Sequence, residues 1–143
     1  MRAAIFQARA ALAADDVPVG ALVINPAGSI VGLGNNQREE LKDPTAHAEI
    51  VALRQAALTT RNWRLDGHTL VVTLEPCAMC AGAIIQSRVK TVAFGAWDEK
   101  AGAVGSVWDI LRDPRNSHQV EVISGVLEEE CAEILREFFK GKR

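Results

Sequence analysis

Two short motifs, His47-Ala48-Glu49 and Pro76-Cys77-Ala78-Met79-Cys80, constrain the fold of this 143-residue chain more than any other feature. Each motif stands where a helix is predicted to begin. Cys77 and Cys80, three positions apart, project from one face of a helix and can share a metal ion. His47 supplies a third ligand and leaves the fourth position of a tetrahedral site open to water, which is the arrangement of catalytic zinc sites. The chain must therefore fold so that the two helix starts meet.

Glu49 stands two residues after this histidine, where a carboxylate that is not a ligand can move protons. It can take a proton from the attacking water, pass it to a ring nitrogen of the substrate and later assist the departure of ammonia. H-x-E followed by P-C-x-x-C is the pattern already known for zinc-dependent nucleobase deaminases. Taken singly, the parts have ordinary alternatives: a packed histidine, a redox cysteine pair, a solvated glutamate, or a structural zinc site closed by a fourth ligand. Together they predict a zinc-dependent hydrolytic deaminase.

Composition narrows the class of protein further. With 48% hydrophobic residues the chain can bury a sizeable core, and its length suits one globular domain over residues 1–143. A formal charge of −2 argues against a protein that coats nucleic acid or adheres to membranes. The odd number of cysteines, three, suits a reducing compartment. Because Gln7 and Arg9 interrupt the apolar N-terminal run and no other run could span a bilayer, we expect a soluble cytoplasmic protein without a membrane segment.

Strands and helices are predicted to alternate, as expected for an α/β protein with a sheet between helices. The first helix covers about residues 2–14, and two strands, GALVIN and SIVGLG, form a hairpin around a turn that contains Gly28. The other predicted elements are a helix over 47–58, a strand over 68–74, a helix over 77–87, a strand over 90–95, a glycine-rich loop over 95–106, a short helix over 107–111, a strand over 120–124 and a helix over 126–140.

Longer segments carry a more specific resemblance. They are DVPVGA at 16–21, DPTAHAEI at 43–50, TLEPCAMCAGA at 73–83, FGA at 94–96 and GAVGS at 102–106. In these segments the chain resembles the bacterial tRNA-specific adenosine deaminases, the TadA type within the cytidine/deoxycytidylate deaminase superfamily. The resemblance covers nearly the whole chain. Guanine, cytosine and cytidine deaminases also carry the zinc motif, so the flanking segments are what favour a tRNA-specific enzyme.

This resemblance implies a three-layer α/β/α, cytidine-deaminase-like fold with a five-stranded mixed sheet, and a homodimer whose subunits both contact RNA. It implies that adenosine is converted to inosine at the wobble position of a tRNA anticodon loop. One Zn²⁺ per subunit would be held by His47, Cys77 and Cys80, with Glu49 as the proton shuttle.

By the same resemblance, a second group of residues contacts the substrate. Asn36 would contact the target nucleoside, Val17, Pro18 and Val19 the base, Asp98 and Lys100 the flanking nucleotides, and Phe138 or Phe139 a base near the end of the last helix. Ordinary roles compete with these assignments: a turn asparagine, loop packing, a solvated charge pair, or a dimer contact by one phenylalanine. The chain departs from the family at Trp97, where a basic residue is common and where stacking could replace a phosphate contact.

Two other functions fit the sequence. A deaminase of a free base or nucleoside, such as guanine, cytosine or cytidine, would share every catalytic residue and differ in the pocket and the outer loops. A noncatalytic RNA-binding subunit that keeps zinc for structure is an alternative of another class. Such a subunit is expected to lack the shuttle carboxylate that Glu49 supplies.

Overall fold

The computed structural model describes residues 1–142, and Arg143, the last residue of a short basic tail, lies outside the described residues. Its helices are α1 (Arg2–Ala10), α2 (Arg38–Leu41), α3 (Ala48–Thr60), α4 (Ala78–Ser87) and α5 (Glu128–Lys140). Its strands are β1 (Gly20–Ile24), β2 (Ile30–Asn35), β3 (Thr69–Leu74), β4 (Thr91–Ala96) and β5 (Glu121–Ile123). A 3-10 turn, Ala11–Ala14, completes the helix that the sequence predicts over 2–14.

The five strands form one mixed sheet in the order β2-β1-β3-β4-β5. β1 pairs antiparallel with both β2 and β3, whereas β3, β4 and β5 run parallel to one another. This topology places the start of β1 and the ends of β2, β3 and β4 at one edge of the sheet. The loops at that edge contain residues 17–19, Asn36, Cys77 and Trp97, and it is at the carboxyl ends of such strands that α/β proteins bind ligands.

Helices cover both faces of the sheet, which confirms the predicted α/β/α layers. α3 and α4 pack on one face over the main core, which contains Ile84 and Phe94. α1 and α5 pack on the other face through smaller clusters that contain Leu22 and Ile134. Among residues 1–142, no helix combines the length and the apolar character needed to cross a membrane.

The start of α3 lies directly on β2. A Cβ atom at Gly34 would lie 2.3 Å from the carbonyl oxygen of Ala48 and 2.7 Å from the amide nitrogen of Ala52. Only glycine permits so close an approach. The contact holds the first turn of α3, which contains Glu49 and follows His47, against the end of a strand.

One predicted element is wrong. Residues 107–111, predicted as a short helix, belong to a loop in which Val104 and Asp109 form an antiparallel bridge. The N–H group of Trp108 donates to the Gly102 carbonyl at 3.1 Å, closing a wider turn than the i to i−4 bonds of a helix. The glycines just before the segment favour such a loop over a helix. The short helix α2, in contrast, is not among the predicted elements.

Candidate active site

His47 and Cys77 occupy equivalent positions, since each is the N-cap of a helix on the same face of the sheet. Both have an extended backbone, with ψ angles of 154° and 177°, and the first turns of α3 and α4 follow them. Glu49 and Cys80 lie within those turns. The positive ends of two helix dipoles therefore face the same group of side chains, where they favour thiolates over thiols.

The three predicted metal ligands meet at this point. Nδ1 of His47 lies 3.7 Å from the Cys77 sulfur and 3.6 Å from the Cys80 sulfur, and all three ligand atoms lie within 4.8 Å of one another. A tetrahedral zinc site, with bonds of about 2.0 Å to nitrogen and about 2.3 Å to sulfur, holds such atoms roughly 3.5 Å apart. The group is thus positioned to bind a metal ion, and no fourth His, Cys, Asp or Glu joins it within residues 1–142.

The protonation of these groups follows from their closeness and burial. The neighbouring Cys80 thiol, helped by the His47 ring, lowers the pKa of the Cys77 thiol to about 4. The same pairing, together with burial, raises the pKa of Cys80. A bound metal ion removes this inequality because both cysteines then bind as thiolates. Burial raises the pKa of Glu49 to about 7, near the value that suits a group that both accepts and returns a proton.

A cavity of about 150 Å³ opens beside the ligand group. It is lined by Val17, Val19, Asn36, Arg38, His47, Glu49, Leu74, Glu75, Cys77, Asp98 and Ala101. Pockets for drug-sized ligands begin at roughly 300 Å³, so this cavity suits one planar base rather than a whole nucleotide. Glu49 lines it without belonging to the ligand group. Of the three residues predicted to contact the base, Val17 and Val19 line the cavity and Pro18 is buried outside the lining.

Asn36 joins two of the segments that form the cavity. Its Nδ2 donates to the Val17 carbonyl at 3.0 Å, and its Oδ1 accepts from the Ala48 N–H at 2.9 Å. Because Ala48 is the first residue of α3, this amide provides the side-chain cap that His47 does not. The amide keeps a second N–H that these bonds do not use.

Two buried carboxylates that the sequence analysis misses hold the loops of the site. The first, Asp16, is 1% exposed and accepts from the Arg38 guanidinium at 2.9 Å and from the N–H groups of Val17 and Glu39 at 2.8 and 3.0 Å. Burial alone would raise the pKa of Asp16, but these hydrogen bonds together lower it. They tie the loop before β1 to α2.

Glu75 is the second buried carboxylate, at 2% exposure, and it anchors the loop that follows β4. Its Oε1 accepts from the Asp98 N–H at 3.0 Å, and its Oε2 accepts from the N–H groups of Val104 and Ser106 at 2.9 and 3.2 Å. Hydrogen bonds to an ionised group are stronger than neutral ones. The signal in the sequence is a single charge between a continuous apolar strand and Pro76.

A wider groove of about 610 Å³ adjoins the cavity, and the two share Val17, Leu74 and Asp98. Its lining also includes Trp97 and Lys100. The Asp98 carboxylate accepts from the backbone N–H of Lys100 at 3.0 Å rather than from the ammonium group. The predicted flanking-nucleotide residues are thus held in one structured turn beside the cavity.

The two adjacent phenylalanines near the end of α5 have different surroundings. Phe139 lines the groove and is 50% exposed. Phe138 does not line it, and its ring lies 5.1 Å from the Lys142 ammonium nitrogen. Neighbouring helix positions differ by about 100° in direction, so only Phe139 is available to a molecule in the groove.

Comparison with known proteins is consistent across sequence and structure. The MafB19-like deaminase family matches residues 1–143. The tRNA-specific adenosine deaminase of Haemophilus influenzae is 50% identical over 143 residues, which cover all of this chain and 83% of that protein. A solved structure from work on A-to-I editing by tRNA:A34 deaminases at the wobble position of transfer RNA superposes with a TM-score of 0.90 at 43% identity, covering 94% of this chain and 97% of that one.

A guanine deaminase from Nitrosomonas europaea is a more distant neighbour. It superposes with a TM-score of 0.78 at 29% identity, covering 94% of this chain and 80% of that one. The sequence and structural similarity are therefore both greater toward the tRNA deaminases. The chain belongs to the MafB19-like deaminase family and, within it, to the tRNA-specific adenosine deaminases.

Proposed function

We propose that this chain hydrolyses the exocyclic amine of adenosine at the wobble position of a tRNA anticodon, which releases ammonia and leaves inosine. One observation carries the proposal: two residues of a three-residue group that could hold a metal ion, His47 and Cys77, line the same base-sized cavity as the buried carboxylate of Glu49, which lies outside that group. The relatives' activity supports the choice of substrate. Since an anticodon loop already presents unpaired bases, splaying out the target costs only about a few kcal/mol.

His47, Cys77 and Cys80 are the proposed ligands of one Zn²⁺ per subunit. One imidazole and two thiolates are donors that zinc prefers, and their spacing fits tetrahedral coordination. When bound there, zinc supplies Lewis-acid activation of the attacking water.

Glu49 moves the protons of the reaction. Its carboxylate accepts a proton from the attacking water as the water oxygen bonds to the carbon that bears the amine, and it passes this proton to the adjacent ring nitrogen. The second proton of the water travels by the same carboxylate to the amine, which leaves as ammonia. Water and adenosine thus give inosine and ammonia. A pKa near 7 suits both halves of the cycle.

The cavity would bind the target base through Asn36 and the loop over residues 17–19. Asn36 donates to the base through the N–H that its structural bonds leave free. Val17 and Val19 pack against the base, and Pro18 stiffens the loop between them. The hydrogen bond from Asn36 to the Val17 carbonyl joins these two contacts.

The groove would bind the nucleotides on either side of the target. Asp98 and Lys100 contact the flanking nucleotides from the turn beside the cavity. Phe139 offers its exposed ring for stacking, while Phe138 supports the end of α5 beside Lys142. Recognition then rests on loop shape and stacking rather than on a large basic surface, which fits a chain of net charge −2.

We also propose a homodimer that forms through the outer surface of α3 and α4. Leu58 and Trp63 are 80% and 61% exposed on this surface, in adjoining depressions that extend to Ala83 of α4. Large apolar side chains exposed in one patch mark interaction surfaces. Sedimentation at micromolar concentration should find a dimer, and a fully active monomer would contradict the assignment.

The proposal includes a cytoplasmic location and a single deaminase domain over the whole chain. A tRNA substrate is found in the cytoplasm, and Cys77, Cys80 and Cys131 form no disulfide in the part of the chain that the structure describes.

The activity is tested with metal-loaded protein and an anticodon stem-loop RNA that carries a wobble adenosine, with guanine, cytosine, cytidine and free adenosine run in parallel. Mass spectrometry of the nucleosides should find inosine in the RNA, and no ammonia should appear from the free compounds. Ammonia from a free base, with the RNA unchanged, would show a free-base deaminase instead. RNA binding without any product would favour a noncatalytic subunit.

A further inference from the structure

Trp97 lies directly after β4, at the boundary between the catalytic cavity and the groove. Its side chain lines the groove and is 37% exposed. The next residue, Asp98, lines both the groove and the cavity. An aromatic ring at this position stands beside the route by which RNA would reach the cavity.

The indole has two close neighbours, Phe94 and Gly105. Phe94 packs against it edge to face, with ring centroids 4.9 Å apart and planes at 85°. A Cβ atom at Gly105 would lie only 3.2 Å from the indole ring, so the loop passes close to the ring at this glycine. The Glu75 carboxylate fixes the neighbouring Asp98 N–H. An aromatic side chain held in this way loses little conformational freedom when a ligand stacks on it.

The charges of the groove favour the uncharged face of a base over a phosphate. Within residues 1–142, Asp98, Glu99 and Glu128 line the groove and Lys100 is the one cationic side chain in its lining. An excess of carboxylates repels a phosphate, whereas stacking of a base on an aromatic ring needs no positive charge. A base that stacks on Trp97 could leave its phosphate outside the groove or beside Lys100.

We propose that Trp97 is a stacking platform for the base of a nucleotide next to the target adenosine, and that it sets part of the affinity for the RNA. This inference rests on the proposed tRNA substrate. The base contacts the indole through its π-face, which every base has, so the contact tolerates several bases. Because the contact neutralises no phosphate, it releases no counterions. Trp97 is thus a binding residue, and Glu49 with the ligand group performs the chemistry without it.

The test compares the wild type with Trp97→Ala on three stem-loops: an intact RNA and two RNAs with an abasic nucleotide on one or the other side of the target. On the intact RNA, Trp97→Ala should raise KM by at least about fivefold, with little change in kcat or metal content. For the wild type, KM should be higher by a similar factor on one of the two abasic RNAs than on the intact RNA. For Trp97→Ala, KM on that abasic RNA should equal its KM on the intact RNA. Trp97→Phe should recover most of the loss, and Trp108→Ala, in the same loop outside the groove, should behave as the wild type.

Salt dependence separates stacking from a phosphate contact. Trp97→Ala should keep the wild-type slope of affinity against salt concentration, whereas Trp97→Arg should steepen it by roughly one unit. An unchanged KM for Trp97→Ala, or additive effects with both abasic RNAs, would overturn the platform while leaving the deaminase function intact. A wild-type protein that does not convert the intact stem-loop would overturn the proposed function itself, and the platform with it.

Discussion

The reaction centre and the outer groove share one edge of the sheet but are built in opposite ways. In the centre, the functional side chains stand at the starts of two packed helices, and Glu49 and Cys80 are 4% and 0% exposed. In the groove, Trp97 and Phe139 are 37% and 50% exposed and come from a loop and a helix end. Backbone packing holds the first group, and one carboxylate, Glu75, anchors the loop of the second. Changes in the centre should therefore abolish the chemistry, whereas changes in the groove should weaken binding by degrees.

Loss of one metal ligand should have the largest effect. In Cys80→Ala the metal group keeps only His47 and Cys77, so purified protein should lack stoichiometric metal and turnover should fall by at least about a thousandfold. Metal analysis and inosine formation measure the two losses. Cys131→Ala is the matched control, because Cys131 is equally buried but lies in α5 on the opposite face of the sheet. Full metal content in Cys80→Ala would show that the ligand set is wrong.

The buried carboxylate of Glu49 should lower the stability of the folded protein, which the exposed groove residues do not do. Burial raises the pKa of Glu49 from its ordinary 4.5 to about 7. Ionisation therefore destabilises the folded protein as pH rises from about 4.5 to about 7, and the penalty is complete above that range. In metal-free protein, Glu49→Gln should raise the free energy of unfolding by about 3 kcal/mol at pH 8 and leave it nearly unchanged at pH 4. Urea unfolding at both pH values measures this difference, and equal stabilities at pH 8 would contradict it.

Removing the anchor of the groove should weaken recognition without removing the metal. In Glu75→Gln an NH2 group replaces one of the two accepting oxygens, so either the N–H of Asp98 or those of Val104 and Ser106 lose their acceptor. Loss of such a charge-assisted bond should lower kcat/KM for the stem-loop by about tenfold, mainly through KM. Steady-state kinetics and metal analysis of the same sample test this. Loss of metal from Glu75→Gln would mean that the two regions are not held independently.

Substitution of either phenylalanine should have the smallest effect, one on RNA binding and the other on stability. Phe139→Ala should raise KM for the stem-loop by about fivefold, because its ring lines the groove. Phe138→Ala should leave KM unchanged and lower the free energy of unfolding by about 1 kcal/mol. The reverse pattern would place Phe138, not Phe139, against the RNA.

The contrast between the reaction centre and the groove also explains which features the sequence predicts well. The grouping of His47, Cys77 and Cys80, which the structure shows, is predictable because helix starts and the i, i+3 spacing are local features of the chain. The strands follow from short, continuous β-branched runs. The order of the strands in the sheet, however, depends on long-range packing that local patterns do not specify, and the family resemblance implies only a five-stranded mixed sheet.

Local sequence patterns do not predict the two buried carboxylates that hold the loops of the site. Glu75 bonds to residues 23 to 31 positions away, and Asp16 bonds to Arg38 at a separation of 22. The wrong helix at 107–111 has the same origin, because backbone bonds to preceding glycines override apolar spacing. The orientation of Phe138 and Phe139 depends on the rotation of α5 about its axis, which adjacent aromatic residues do not specify.

The most direct test of the central claim, that a buried proton shuttle works beside a separate RNA-binding groove, is a single-turnover experiment with Glu49→Ala. Variant and wild type, matched in metal content, are each mixed in excess with the anticodon stem-loop, and bound RNA and inosine are measured in the same samples. The predicted result is RNA binding equal to that of the wild type and no detectable inosine. Inosine at a near wild-type rate would contradict the role of Glu49, and loss of RNA binding would contradict the separation of the two regions.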